Sequence, residues 1–210
     1  MRIALLQTHS KNNEDIYQMS LKNHVQYAAQ HEYGMIQENI SYYEALHDVV
    51  NIFSRALKIY DMILSIGSDV VFTNMAIPIE SFIESGKGIA ISREDIGSLC
   101  NADTIALKNS YECQSVIDYF NKTKARWENE SWGIQRAFNW ILQEKPDDVY
   151  EKVSFHPVRK MQSTIFSDYA SKWQPGDFSL HFVGCSNDEK RQRMGMFLNE
   201  GKVWWRPGIL

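Results

Sequence analysis

The sequence predicts one α/β domain with a layered architecture. Its 210 residues are enough for one large domain or two small ones, and short apolar runs alternate along the chain with stretches of helical periodicity. Hydrophobic residues make up 44% of the chain and charged residues 23%, a globular balance that excludes disorder as the main state. We find no internal repeat, low-complexity tract or linker rich in Gly, Pro or Ser. A single domain over residues 1–210 is therefore the simplest interpretation.

The first half of the chain alternates strands with helices. Continuous apolar runs predict buried strands, and apolar residues three and four apart predict helices. In chain order, the patterns predict a strand with its apolar run at 3–6 and its end at 7–9, then one long or two short helices at 13–31 and a strand at 35–40. An amphipathic helix at 45–59 and a strand at 62–66 that continues at 70–72 follow. The small turn at 67–69 ends an apolar strand, which is a common place for a site in an open α/β sheet.

The second half is less regular. The patterns predict a short helix at 78–82, strands at 88–92 and 104–108, and helices at 110–122 and 131–142. From Val149 onward we expect irregular structure around an apolar run at 153–155, then a strand at 178–183 and a charged helix at 187–199. The apolar and aromatic ending at 203–207 is expected to pack on the domain, with ligand or partner binding as alternatives.

Composition and charge exclude several classes of protein. The net charge of −4 lacks the basic excess that nucleic-acid binders usually show. Cys100, Cys113 and Cys185 form no CxxC pair, so we expect neither a disulfide scaffold nor a zinc ribbon, and a reducing compartment is the default. No apolar run reaches the length of about 18 residues that a membrane span needs, and the first apolar run is too short for a signal peptide. We therefore expect a cytoplasmic protein.

Asp69 and His181 are the first candidates for chemistry. Asp69 follows a buried strand, where a carboxylate needs a cation, a cap or a metal nearby. A turn aspartate that caps its own backbone is the commoner alternative. His181 lies on the strand face opposite Leu180 and Phe182. A lone histidine is more often structural than a ligand, but a strand histidine with a distant aspartate would supply two ligands to a hard or borderline divalent ion.

Gln135 is the third candidate. It shares a predicted helix face with Trp132 and Asn139. Its amide suits a hydroxyl-rich ligand, and a surface glutamine is an equally good interpretation. Other chemistries lack support, because GxSxG, HExxH, GxxxxGK[ST] and GxGxxG are absent. No carboxylate pair is singled out for glycoside hydrolysis, and nothing favours a Ser-His-Asp or Cys-His arrangement, although spacing does not exclude either.

Three segments carry specific residue patterns. They are Trp-x-x-Gly-Asp-Phe-x-x-His-Phe-x-Gly-Cys at 173–185, Asn-Ala-x-(five residues)-Asn-Ser at 101–110 and the weaker Tyr-Ala-x-x-His-x-Tyr at 27–33. With the strand and turn at 60–74 and the Gln135 helix, they resemble the galactosyl/xylosyl/mannan-type family of retaining glycosyltransferases. The resemblance spans nearly the whole chain. It implies the GT-A fold, a Rossmann-like nucleotide-diphospho-sugar transferase domain with a central mixed, mostly parallel sheet flanked by helices.

The resemblance also implies roles for individual residues. Asp69 matches the second Asp of the family's Asp-x-Asp motif and would bind the metal together with His181, with manganese preferred and magnesium as the alternative. Gln135, Asp95 and Asn101 lie on the donor-sugar side and are the implied catalytic residues. The implied nucleotide-binding residues are Thr8, Lys22, Asn23, Arg55, Gly67, Ser68, Gly184 and Cys185.

This chain departs from the family's pattern at several positions. Gly67 stands where the first Asp of Asp-x-Asp is expected, and Asp103 stands where the family has Gly. Ile134 replaces the Asp that precedes the family's Gln. A basic residue is expected at 186, where this chain has Ser186 with Lys190 and Arg191 as candidate substitutes. These changes fit either a divergent sugar specificity or a weakened enzyme.

The resemblance implies a metal-dependent enzyme that moves a sugar from a nucleotide diphosphate sugar, a UDP-sugar, to a glycan or other hydroxyl acceptor with retention. Secretory members carry a membrane anchor that this sequence lacks, so we expect a bacterial or viral enzyme or a domain cut from a longer chain. Three alternatives stay open: a member that binds sugar or nucleotide without turnover, a nucleotide-sugar hydrolase, and a purely structural α/β protein. Neither nucleic acid nor a membrane is an expected partner.

Overall fold

Two β-sheets organise the fold. The computed structural model describes residues 1–9, 13–39, 46–96, 98–126, 133–203 and 205. The strands are β1 (Ile3–His9), β2 (Gly34–Asn39), β3 (Met62–Gly67), β4 (Val70–Phe72), β5 (Ile89–Arg93), β6 (Cys100–Lys108), β7 (Val153–His156), β8 (Ser163–Thr164) and β9 (Ser179–His181). Six of them form the central sheet, in the order β2-β1-β3-β6-β5-β7, and the other three form a small sheet, in the order β4-β9-β8.

The central sheet is mixed and mostly parallel. β1 runs parallel to β2 and β3, and β5 runs parallel to β7. β6 is antiparallel to both of its neighbours. The α/β sheet that the sequence predicts is therefore confirmed.

Helices cover both faces of this sheet. They are α1 (Glu14–Gln30), α2 (Leu46–Leu57), α3 (Tyr111–Thr123), α4 (Gly133–Glu144) and α5 (Asn187–Glu200), with 3₁₀ turns at Ile79–Phe82, Lys124–Arg126 and Tyr150–Lys152. The stretch at 13–31 is thus one long helix, and the predicted helix start at 131–132 lies outside the described residues. Among the described helices, none is both long enough and apolar enough to cross a membrane.

The continuous apolar run of β1 follows from burial on both faces. Ala4 and Leu6 belong to the core that α2, α3 and α4 complete. Ile3 and Leu5 point the other way, into a core completed by α1. A strand covered on both faces needs apolar residues at every position, which is why this segment lacks the alternation of a half-exposed strand.

The small sheet brings distant parts of the chain together. β4 is antiparallel to β9, with Val70 opposite His181. The backbone N–H of Phe182 donates to the carbonyl of Asp69 at 3.0 Å. This pairing places the turn after β3 beside the end of β9.

Several boundaries differ from the sequence prediction. β1 is not among them: it ends at His9, within the predicted end at 7–9, where β2 and β3 pair with it. β6 begins at Cys100 rather than at 104, and the strand predicted at 178–183 spans only Ser179–His181. The segment at 153–156 is a regular strand because it pairs with β5. The two-residue strand β8 is held by β9 and has no apolar run of its own.

Candidate functional site

The ends of three strands bring two carboxylates and one imidazole together. Asp69 follows β3, Asp103 lies on β6 and His181 ends β9. His181 Nε2 lies 3.4 Å from Asp69 Oδ2 and 3.5 Å from Asp103 Oδ2. We call these three residues the acid–histidine cluster. Within the described ranges, it is the one group of three His, Cys, Asp or Glu side chains whose ligand atoms all lie within 4.8 Å of one another.

The cluster is closed on one side and open on the other. The side chain of His181 is 2% exposed and that of Asp69 is 15% exposed, whereas that of Asp103 is 43% exposed. Solvent, and any ligand, therefore reaches the cluster past Asp103.

Lys190 adds a cation to the cluster. Ser186 caps α5 through a capping box with Glu189, and this start of the helix places Lys190 one turn in. Its Nζ lies 2.7 Å from Asp69 Oδ2, and the two side chains are 16% and 15% exposed. Arg191, the other candidate substitute for a basic residue at 186, instead pairs with Asp15 and Asp188. The structure thus places Lys190, and not Arg191, at the site.

Two buried polar side chains, Gln162 and Thr104, orient the His181 ring from its Nδ1 side. Gln162 Nε2 lies 2.9 Å from His181 Nδ1, and the Thr104 hydroxyl donates to Gln162 Oε1 at 2.7 Å. Gln162 is 4% exposed and Thr104 is 1% exposed. With Nδ1 engaged by the amide, the ring presents Nε2 to the two carboxylates. Sequence reasoning missed Gln162, because it lies in no recognisable pattern.

Opposite charges set the pKa values in the cluster. Burial raises the pKa of Asp69, but the charges of His181 and Lys190 outweigh it and hold that pKa below its ordinary value. Burial lowers the pKa of His181 and of Lys190, and the facing carboxylates reverse this, so both lie above their ordinary values. Burial raises the pKa of Asp103, and repulsion from Asp69 adds to that rise against the attraction of His181. Asp69 is therefore an ionised carboxylate that faces the Lys190 ammonium and Nε2 of His181.

Hydrogen bonds of Trp173 and Asp177, in the motif at 173–185, hold β9 in place. Asp177 accepts from Arg159 Nη2 at 2.7 Å and from the Ser163 hydroxyl at 2.6 Å. Trp173 Nε1 donates to the Thr73 hydroxyl at 3.0 Å. These bonds fasten the loop before β9 to β8 and to the end of β4. The motif residues thus fix the position of His181.

The three predicted catalytic residues lie around the start of β6. Gln135 on α4 accepts from the backbone N–H of Ala102 at 3.2 Å. Asn101 accepts from the N–H of Asp103 at 2.9 Å. Asp95 accepts from the N–H of Ser171 through Oδ2 at 3.1 Å, while its Oδ1 is buried and, within the described part of the chain, has no hydrogen-bond partner. Gln135 and Asn101 therefore border the cluster through the backbone next to Asp103.

Glu94 is a further acidic group at this end of the sheet that sequence reasoning missed. Its Oε1 accepts from Asn101 Nδ2 at 2.9 Å. Burial raises the pKa of Glu94 to about 7, against the lowering effects of this bond and of His181. Glu94 lies one residue after β5 and directly before Asp95, which the family resemblance places on the donor-sugar side.

The predicted nucleotide-binding residues fall into two groups. Thr8 pairs in register with Gly67, and Ser68 is buried next to Gly67 in the chain. Gly184, three residues after β9, has a positive φ of 68°, and the half-buried Cys185 follows it. The second group lies on other elements. Asn23 holds both the N–H and the carbonyl of Phe72, at 2.8 and 3.0 Å. The neighbouring Lys22 is exposed on α1, and the exposed Arg55 pairs with Glu38 at 2.9 Å.

Comparison with known proteins identifies the family. A family model for the galactosyl transferase GMA12/MNN10 family matches residues 69–192, which is more than half of the chain. The chain belongs to this family. The match covers the acid–histidine cluster, Lys190 and the segment from β4 to α5, so the resemblance inferred from the sequence is confirmed. A search of curated protein sequences found no significant match.

Solved structures of glycosyltransferases have the same fold as this chain. A glycosyltransferase involved in the glycosylation of the major capsid of PBCV-1 has a TM-score of 0.69 and 18% identity, over 93% of this chain and 100% of that chain. The glycosyltransferase GlyE of Streptococcus pneumoniae has a TM-score of 0.55 and 13% identity, over 97% of this chain and 66% of that chain. The GT-A fold is thereby confirmed.

The residues of the cluster fit the divalent cation that the family resemblance implies. Two carboxylate oxygens and one imidazole nitrogen suit hard or borderline divalent ions. The ammonium of Lys190 already contacts Asp69 Oδ2, which shows that this carboxylate oxygen can bind a cation. Gly67 leaves a cradle beside the carboxylates, since a Cβ at this position would lie 2.9 Å from Asp103 Oδ1. Asp69, Asp103 and His181 are the residues that could hold the ion.

Proposed function

We propose that this chain transfers a sugar from a nucleotide diphosphate sugar, a UDP-sugar, to a glycan or other hydroxyl acceptor. The transfer retains the anomeric configuration and depends on a divalent cation, manganese in preference to magnesium. The observation that carries the proposal is the acid–histidine cluster at the strand ends of a GT-A domain in a glycosyltransferase family.

The chemistry requires positive charge beside the leaving group. Breaking a sugar–phosphate bond leaves a highly charged nucleoside diphosphate, and a bound divalent cation stabilises such a group as a Lewis acid. Asp69, Asp103 and His181 would hold that ion at the open side of the cluster. Lys190 supplies a second, permanent cation from α5. Fixed charges of this kind contribute most when the fold orients them before the substrate arrives.

The polar groups around the start of β6 suit the donor sugar. Gln135 and Asn101 are held by the backbone of 102 and 103. The buried Oδ1 of Asp95 has no hydrogen-bond partner in the described residues, so a sugar hydroxyl that donates to it would satisfy a group that is otherwise costly. We assign Gln135 the role of orienting the transferring sugar. Attack by the acceptor hydroxyl on the face that the phosphate leaves retains the configuration, and no protein nucleophile is needed.

A thermal-shift panel tests the donor site. Nucleoside diphosphates and their sugars would be added with and without manganese, because a ligand that binds only the folded state raises its melting temperature. We expect a manganese-dependent shift with UDP that Asp69→Ala abolishes and that the exposed-site control Glu151→Gln retains. No shift with any nucleotide would contradict the proposal.

Turnover is then measured with the donor that gives the largest shift. Transfer to an added hydroxyl acceptor would support the proposal. Release of free sugar without an acceptor would identify a hydrolase. Binding without either product would identify a member that binds nucleotide sugar without turnover.

A further inference from the structure

We propose that Asp103 supplies the carboxylate that position 67 lacks, so that the cation site is complete although Gly67 ends β3. The inference rests on the proposed cation-dependent transfer. It makes Asp103 a ligand of the cation and Gly67 the residue that gives its carboxylate room. The missing carboxylate at Gly67 on β3 and the additional carboxylate at Asp103 on the adjacent β6 would then compensate for each other.

The strand pairing places the two residues side by side. β3 and β6 are antiparallel, and Ile66 lies opposite Thr104. The next residue of β3 and the preceding residue of β6 are Gly67 and Asp103. A Cβ built on Gly67 would lie 2.9 Å from Asp103 Oδ1 and 3.3 Å from Asp103 Cβ. The carboxylate of Asp103 therefore lies against the place where a side chain at 67 would begin.

A side chain at position 67 would compete with Asp103 for this space. A side chain at 67 would force Asp103 to swing away, because real Cβ atoms do not approach other atoms to 2.9 Å. A second carboxylate would also face Asp69, whose Oδ1 lies 3.3 Å from the same Cβ position. Like charges at such distances disfavour each other's ionised forms. Glycine at 67 thus leaves the Asp103 carboxylate in its position beside the cluster.

Asp103 is directed at the cluster. Its backbone N–H donates to Asn101 Oδ1 at 2.9 Å, which fixes the backbone at this point of β6. Its Oδ2 lies 3.5 Å from His181 Nε2, the same nitrogen that Asp69 approaches to 3.4 Å. The side chain is also the most exposed of the three. Asp103 thus completes a three-sided set of donors whose open side remains free for phosphate oxygens.

Reciprocal variants test the exchange. Manganese binding would be measured by electron paramagnetic resonance and calorimetry, with and without UDP, for the wild type, Asp103→Gly, Asp103→Asn, Gly67→Asp and the double variant Gly67→Asp/Asp103→Gly. Asp103→Gly and Asp103→Asn are expected to weaken binding by about tenfold or more, since even residues that only support a ligand contribute about 10- to 100-fold. Glu151→Gln, at an exposed carboxylate, is the matched control.

The double variant separates an exchange from two independent defects. Independent losses would add in free energy. The exchange instead predicts that the double variant binds manganese about tenfold more tightly than Asp103→Gly alone. Gly67→Asp alone is expected to bind no better than the wild type and to melt at a lower temperature, because both side chains then compete for one space. Asp103→Asn keeps the shape of the side chain and serves where Asp103→Gly reduces folding.

The outcomes distinguish this inference from the proposed function. Unchanged manganese affinity in Asp103→Asn, or no recovery in the double variant, would overturn the role of Asp103 and leave the transferase proposal standing. A wild type that binds no manganese with or without UDP would overturn both. Recovery of manganese binding in the double variant without sugar transfer by the wild type would support the exchange and overturn the proposed activity.

Discussion

Replacing Lys190 by Met is expected to have opposite effects on manganese and on nucleotide binding. In the structure, Lys190 Nζ lies 2.7 Å from Asp69 Oδ2 and both side chains are mostly buried. Burial lowers the pKa of Lys190, but Asp69 and Asp103 outweigh it, so the ammonium keeps its charge. A divalent cation bound through Asp69 Oδ2 would therefore compete with this ammonium. Met keeps the length of the side chain and removes the charge.

The size of the effect follows from this one contact. A hydrogen bond between charged groups contributes about 1.5–3 kcal/mol, and each 1.4 kcal/mol is about a factor of ten in affinity. Without nucleotide, Lys190→Met should thus bind manganese about 10- to 100-fold more tightly than the wild type. With manganese saturating, UDP should bind more weakly to the variant, because the released ammonium is no longer present to face the phosphates.

Two titrations measure these effects. Manganese is titrated without nucleotide and followed by electron paramagnetic resonance, and UDP is titrated calorimetrically at saturating manganese. Lys202→Met is the matched control, because Lys202 is 70% exposed and pairs only with the neighbouring Glu200 among the contacts that the structure gives it. Manganese affinity that falls or stays the same in Lys190→Met would refute the competition between the ammonium and the metal.

Three further predictions concern residues around the site. Burial lowers the pKa of His24 to about 4, so between pH 6.5 and pH 4 the unfolded chain takes up a proton that the folded chain does not. The free energy of unfolding should therefore fall by about 3 kcal/mol as the pH is lowered through this window. Urea titrations of His24→Gln should lack that part of the fall. Gln162→Met should weaken manganese binding by about tenfold with His181 unchanged, and an unaltered affinity would make the amide dispensable. Gln135→Ala should slow sugar transfer more than it weakens UDP binding, and the reverse pattern would place Gln135 near the nucleotide.

Much of the fold could be predicted because burial of a strand requires a run of apolar residues that is visible in the sequence. β1 and β3 contribute to the cores on both sides of the sheet, so the apolar run of β1 is continuous and that of β3 is interrupted only by the small Ser65. Residues 7–9, the polar end of β1, have no apolar run of their own, and their strand conformation depends on pairing with β2 and β3. The two residues of β8 are a strand for the same reason. Pairing across the chain, and not local preference, decides these segments.

The candidate site was predictable only in part. Asp69 and His181 stand out because each polar group interrupts an apolar strand region. Gln162 does not, because its partner is 19 residues away and joins it only through the pairing of β8 with β9. Asp103 was visible in the sequence as a departure from the family's pattern. Its contact with His181 depends on the register of β3 against β6, which a single sequence does not reveal.

The charge balance of the cluster explains why cation and nucleotide should bind together. Two carboxylates, Asp69 and Asp103, face two groups whose pKa values are raised, His181 and Lys190. A divalent cation that arrived alone would compete with the Lys190 ammonium for Asp69 Oδ2. A diphosphate that arrives alone meets the carboxylates. With both present, Asp69 would hold the ion, and the Lys190 ammonium released from Asp69 would face the phosphates. Because coupling between two ligands is reciprocal, manganese should strengthen UDP binding by the same factor as UDP strengthens manganese binding.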